Sequence, residues 1–337
     1  MNGYSSMTII TFRKLARNGL FWARLSLGDR SNTSGSTHAE NRFDTRQSIE
    51  YINKLYNSYM DNGKMTEEEL RGKRFLEIGP GDSFGVALLF LAKGVNQVVA
   101  VDRFYTPRNG EQERAIYVAL RNELTAIERR RFDEAVSLET KPIFNTEKLT
   151  YLYDLPIEHA ADKLYIGSFD FVISMAVLEH VYDLSSAFDS MDKLLNEKGR
   201  MLHGVDLSDH AIFSKYGYNP LTLLTVPDWL YHLMSSYTGD PNREDVSRYR
   251  AKLSSLGYET RVLTAKVVGS NTEIIPHVER IENRVHYGDE QLAIVSTIRP
   301  KLLERYRSLS DEDLLQGAIF IDARKKGTEK ALRRFQA

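Results

Sequence analysis

The stretch LEIGPGDSFG, Leu76 to Gly85, places a carboxylate, Glu77, two positions ahead of Gly79, with Gly81 and Asp82 close behind. Gly79 and Gly81 would let the backbone approach a ligand at the end of a strand. A glycine loop of this kind serves NAD, FAD or S-adenosylmethionine. The acids discriminate: carboxylates there suit a ligand with a cationic ammonium group and repel a pyrophosphate. Asp102 lies 25 residues beyond Glu77 and ends an apolar run. After a strand and a Gly-x-Gly loop, an acid so placed can accept hydrogen bonds from two ribose hydroxyls. The plain alternatives are a tight turn at the glycines and a strand-end cap at Asp102.

Imidazoles supply the other chemistry. His180 follows an apolar run and reads either as a proton acceptor beside the reacting group or as a helix-start residue bonded to backbone. HGVDLSDH gathers His203, Asp206, Asp209 and His210. Strand side chains alternate faces, so His203 and Asp206 point to opposite sides while a strand lasts. Asp206 and His210 meet only if the chain turns helical after Leu207. Three readings stand: an Asp206–His210 dyad in which the acid orients the imidazole, a divalent-metal site, or Asp209 as a simple helix cap. No metal ligand is assigned.

A strand–helix alternation from residue 73 positions these groups. Hydrophobic patterning predicts strands over 74–78, 98–101, 149–153, 169–175, 200–205, 259–268 and 318–323. Helices are predicted over 83–93, 112–136, 184–195 and 243–256. Repeated units of this length imply a parallel sheet covered on both faces, with its ligand beyond the carboxyl ends of the strands. Residues 208–241, with Pro220, Pro227 and Pro241, read as an irregular insertion over that edge. Residues 270–316 read as a mostly helical insertion, and the tail from Arg324 as frayed.

LEIGPGDSFG resembles the first motif of class I S-adenosylmethionine-dependent methyltransferases, and VVAVDRF the second. FDFVISMAVLEHV is similar to the fourth, and LLNEKGRMLHGVD to the approach to the fifth strand, with Glu-Lys-Gly where Pro-Gly-Gly is usual. The resemblance covers residues 70–207 well and 242–325 loosely. It implies an α/β, Rossmann-like, seven-stranded sheet, mostly parallel with an antiparallel last strand, and helical insertions forming a lid. By it, Glu77, Gly79 and Gly81 hold the methionine part of the cofactor and Asp102 the ribose. Arg103 and Phe104 flank the adenine, Asp154 and Leu155 read its edge, and Ser174 and Met175 line the sulfonium side. HGVDLSDH also resembles a subgroup associated with surface polysaccharide and sugar modification.

The expected reaction is O-methylation of a small-molecule or glycan-linked acceptor by in-line displacement, with His180 or His210 as base. N- or C-methylation, and a non-catalytic cofactor-binding scaffold, are the alternatives. Tyr216, Tyr218, Trp229, Tyr231 and Tyr237 offer flat surfaces for a sugar or simply a core. His277, Arg280, Arg284 and His286 would meet an acidic acceptor or form a solvated face.

Charge and composition bound the rest. Lys and Arg number 45 against 46 Asp and Glu, so no overall cationic field favours nucleic acid. Cysteine is absent, which excludes disulfides, a thiolate nucleophile and Cys-ligated zinc, and fits a cytoplasmic location. Residues 1–28 hold Arg13, Lys14, Arg17 and Arg24, no acid, and interleaved Phe12, Leu15, Leu20, Phe21 and Trp22. The segment reads as an amphipathic helix packed on the domain, as a membrane-surface helix, or as a transit peptide. A polar linker at 30–38 and a domain from 43 to 337 complete the expected organisation. The oligomeric state is left open.

Overall fold

The structure is a computed structural model that describes residues 6–28 and 44–326. The expected linker at 30–38, the domain start at Phe43 and the tail beyond Lys326 lie outside the described residues. The principal elements are α1 (Met7–Ser26), α2 (Thr45–Asn62), β1 (Arg74–Ile78), α3 (Gly85–Ala92), β2 (Gln97–Val101), α4 (Gly110–Asn122), α5 (Ala126–Ala135), β3 (Leu149–Leu152), β4 (Phe169–Met175), α6 (Leu184–Leu194), β5 (Leu195–Asp206), α7 (Asp228–Ser235), α8 (Val246–Ser255), β6 (Tyr258–Val267), β7 (Glu273–Val278), α9 (Asp289–Ile298) and β8 (Gln316–Lys325).

One sheet runs in the order β3-β2-β1-β4-β5-β8-β6-β7. The first five strands are mutually parallel, and β8 lies antiparallel between β5 and β6. Chain order reverses between β1 and β4, and in open sheets a crevice opens at that point. Among the described residues the sheet has eight strands rather than seven. The extra one, β7, comes from the segment predicted to be mostly helical and pairs antiparallel with β6. Its β-branched Ile274, Ile275 and Val278 suit a pleated surface, and this outweighs the helical pattern of the flanking residues.

Two apolar clusters cover the two faces of the sheet. Phe75 belongs with Ile52 and Tyr59 of α2 and Phe90 of α3, its ring 4.8 Å from that of Phe90. Leu76, one residue on, belongs with Phe188 of α6 and Tyr249 of α8, as the period of two requires. Every residue of α3 is buried, packed between the sheet, α2 and α5. A Cβ at Gly85 would lie 2.3 Å from Ile52 Cδ1, so only glycine permits that approach. The helix predicted over 112–136 is two helices. Thr125 caps the second, accepting from Glu128 N while Glu128 returns to Thr125 N, and this capping box restarts the helix where one continuous turn was expected.

The inner strands β5 and β8 are tied by a buried ion pair. Arg200 donates to both oxygens of Asp322 at 2.7 and 2.8 Å, and Arg261 adds a contact at 3.1 Å. Arg200 also bonds the Gly63 carbonyl, which fixes the end of α2 to the sheet. Removing one member of such a pair leaves the other charge buried. Asp322→Ala is therefore expected to cost about 3–5 kcal/mol, read as a lowered midpoint in urea unfolding; a cost within error of zero would show that water compensates the arginine.

Candidate active site

Glu77 is next to the last residue of β1, on the face shared with Phe75, and is 7% exposed. Burial pushes its carboxyl up to about 7, opposed by the charge of Arg108. Its Oε2 is buried with no hydrogen-bond partner among the described residues. Gly79 follows with φ +64°, and a Cβ there would sit 2.6 Å from Val177 Cγ2. The turn therefore needs glycine for both its backbone and its neighbour. Asp102 follows β2. Burial raises it to about 6, and the Phe104 backbone N–H, the charge of Arg108 and the Thr106 hydroxyl oppose that rise. Phe104 N lies 3.4 Å from Asp102 Oδ1 and Thr106 Oγ1 3.5 Å from Oδ2.

Glu77, Gly79, Gly81, Asp102, Arg103, Phe104, Leu155, Met175, His180 and His210 all line one cavity of about 650 Å³. Asp154 lies instead on the wall of an adjoining cavity of about 1080 Å³, which Arg103, Phe104, Tyr182, Tyr237 and Asp240 share with the first. Ser174 is not on either wall. It is fully buried, its Oγ 2.7 Å from Nδ1 of His203 on the neighbouring strand. Burial lowers His203 to about 3, so this pair is a neutral hydrogen bond inside the sheet.

The imidazoles of His180 and His210 meet edge to face, 5.0 Å between centroids. Burial, then the charge of His210, lowers His180 to about 4, and its Nδ1 has no partner among the described residues. His210 Nε2 is 3.6 Å from Asp206 Oδ2. They meet without the helical turn that the sequence required. His210 and Ala211 take φ of 46° and 58°, and this left-handed corner folds the chain back instead. Asp209 is a buried cap, accepting from the backbone N–H of Ala211, Phe213 and Ser214 and from the Ser214 hydroxyl.

Several site residues escaped sequence reasoning. Arg108 donates to the Gly81 carbonyl at 2.7 Å and stacks on Phe84 and Tyr151, in a loop with no periodicity to mark it. Glu179 is 1% exposed, neither oxygen has a hydrogen-bond partner among the described residues, and burial raises it to about 8. Its presence in the Leu-Glu-His run was the available signal. Glu179, His180 and His210 bring potential ligand atoms within 4.8 Å of one another, which makes them the described group able to hold a cation.

The cavity roof also differs from expectation. Lys14, Arg17 and Phe21 of α1 line it, together with Lys215 and Tyr237 to Asp240 of the first insertion. Lys14 pairs with Asp240 at 2.6 Å, and Asn18 binds the Leu233 carbonyl, Ser236 and the Tyr237 N–H. α1 is thus packed on the domain, and residues 270–316 contribute nothing to the lining of this cavity. His277 contacts Glu273 and His286 accepts from Glu282 N, away from it. Tyr231 is buried against Arg243, and Trp229 faces solvent.

Residues 51–245, more than half of the chain, match the family model of a methyltransferase domain. No curated protein matches. Among solved structures, the CurJ carbon methyltransferase is 14% identical with a TM-score of 0.40, covering 94% of this chain and 67% of its own. Phosphoethanolamine N-methyltransferase 2 of Haemonchus contortus, in complex with S-adenosyl-L-methionine, is 15% identical with a TM-score of 0.40, covering 81% and 52%. The YcgJ protein of Bacillus subtilis is 15% identical with a TM-score of 0.40, covering 80% and 98%.

The charge of Arg108 opposes the burial shifts of both Glu77 and Asp102. Arg108→Met is expected to move both carboxyls further upward, read by NMR titration of the side-chain carboxyl carbons. Unmoved midpoints would show that solvent screens the guanidinium from both.

Proposed function

The chain belongs to the methyltransferase-domain family, and we propose that it uses S-adenosylmethionine to methylate a hydroxyl oxygen of a small-molecule or glycan-linked acceptor. The residues present fit this cofactor. A buried acceptor with no partner, Glu77 Oε2, is relieved by an ammonium group. The cavity lies within the roughly 300–1,000 Å³ usual for ligand sites. When bound, the cofactor supplies an electrophilic methyl group and a neutral thioether leaving group.

The chain's own residues bind and orient. Glu77 holds the ammonium group, and the open backbone at Gly79 and Gly81 admits the chain of the ligand. Asp102 would accept from the ribose hydroxyls, Arg103, Phe104 and Leu155 would flank the adenine, and Met175 would line the sulfur side. An acceptor hydroxyl must lose its proton as it attacks. The observation that carries the reading is the pair of imidazoles on the cavity wall, 5.0 Å apart, with Asp206 beside one of them. His180 is unprotonated at neutral pH because burial holds its pKa near 4. Its freedom from a partner at Nδ1 leaves it able to accept a proton, and Asp206 can orient His210. Tyr182 and Tyr237 on the walls give a sugar ring flat surfaces to lie on.

Only ionised Glu77 attracts the ammonium group, and the free protein titrates it at about 7. Donor affinity is therefore expected to fall by up to about tenfold per unit as pH drops below that value, read by calorimetry. Glu77→Gln should weaken binding by about tenfold or more and flatten the profile; a wild-type profile already flat through this range rejects the assignment.

His180→Ala and His210→Ala, made separately, test the base. Whichever imidazole takes the proton should lose about 10²–10⁴ in turnover with donor affinity kept. The readout is S-adenosylhomocysteine release across a panel of sugar and small-molecule alcohols. Undiminished release by both variants would leave N- or C-methylation as the reading.

A further inference from the structure

Helix α1 has two apolar faces, and only one is used by the fold. Ile10 is buried among Ile212, Phe213, Val226, Tyr231 and Met234, and Lys14 and Asn18 are bonded to the insertion on the same side. On the opposite side, Ile9, Phe12, Ala16, Leu20, Ala23 and Leu27 follow at steps of three or four residues, so they form one stripe. Ile9, Phe12, Leu20 and Leu27 are 47%, 71%, 68% and 87% exposed. Among the described residues nothing covers them. Apolar residues scattered singly on a surface need no explanation, but a stripe along a whole helix does.

The charges beside the stripe say what covers it. Arg13 falls along the edge of the stripe, Arg17 and Arg24 follow it but lie over Phe21 at the mouth of the donor cavity, and α1 contains no acidic residue. A second copy seated here would set arginines against arginines with no carboxylate in the helix to answer them. An anionic lipid surface answers both features, taking the apolar stripe into the acyl boundary and the guanidinium groups among the phosphates. The helix lies on such a surface and does not cross it, because no described helix is long and apolar enough to span a membrane. Trp229 and Leu233 of α7, the helix that α1 packs against, are also 67% and 52% exposed.

We propose that α1 seats the protein on an anionic membrane surface through Phe12, Leu20 and Leu27, with Arg13 meeting the headgroups. This surface is separate from the reacting groups and does not depend on which acceptor is methylated. The inner face of the same helix lines the donor cavity, so docking would bring that cavity to the lipid surface.

The test is co-sedimentation of the full chain with vesicles of phosphatidylcholine mixed equally with phosphatidylglycerol, and with phosphatidylcholine alone. Binding to the anionic vesicles is expected to exceed that to the neutral ones by at least about tenfold and to weaken with salt. Phe12→Ser with Leu20→Ser should lower binding by about tenfold or more. Arg13→Gln should lower it on anionic vesicles alone. Both apolar side chains are exposed, so an unchanged melting curve and unchanged donor affinity by calorimetry would verify the variant's fold. Wild-type protein that stays in the supernatant with both vesicles overturns the proposal, as does a double variant that sediments like wild type. Concentration-dependent self-association by light scattering, abolished by the same double substitution, would assign the stripe to a second copy and equally overturn it.

Discussion

A carboxylate buried without a hydrogen-bond partner is the constraint on which the rest of the site depends. Glu77 stands in the sheet, where desolvation disfavours its charge, and the fold leaves Oε2 unsatisfied. Under the proposed reading, an arriving cation relieves that oxygen. The surroundings fit that use. Arg108 moderates the burial shift without capping the carboxylate, and donates instead to the Gly81 and Thr106 carbonyls. Gly79 keeps the backbone open beside Val177, and Gly85 lets α2 close over α3 so that the loop rests on a dry floor.

The sheet supplies the donor side of the cavity, and later or earlier parts of the chain supply the rest. Glu77, Asp102, Leu155 and Met175 stand at or just beyond the carboxyl ends of four adjacent parallel strands, so their spacing follows from strand geometry. His210 is carried by a left-handed corner after β5, and the roof by α1 and residues 237–240. The Lys14–Asp240 pair and the three Asn18 hydrogen bonds join segments more than 200 residues apart. The roof therefore exists only when the domain is folded, and the two histidines meet only beneath it.

A second consequence concerns paired imidazoles. Burial disfavours a proton on His180, and the neighbouring His210 adds to this. Glu179, next in the chain, is deeply buried and prefers its proton up to about pH 8. Burial thus suppresses the charges of His180 and Glu179, while Glu77 and Asp102, raised to about 7 and about 6, ionise near neutrality.

The sequence alone determined the donor half: β1, β2 and β4 with their carboxyl-end residues, because apolar runs punctuated by Gly-Pro-Gly and Asp encode a parallel strand and its loop locally. It also determined the antiparallel last strand, through the family resemblance. Tertiary structure decided what local patterns cannot carry. Ser174 pairs with His203 because strands distant in sequence become neighbours, and the resemblance could not see which face it takes. The capping box at Thr125 was legible but outweighed by the periodicity around it. β7 forms because β6 offers an edge, a condition absent from residues 273–278 themselves. The basic N-terminal segment was ambiguous for the same reason: a helix with two apolar faces reads identically whichever face the domain takes, and only packing against α7 assigned one face to the fold and left the other to solvent.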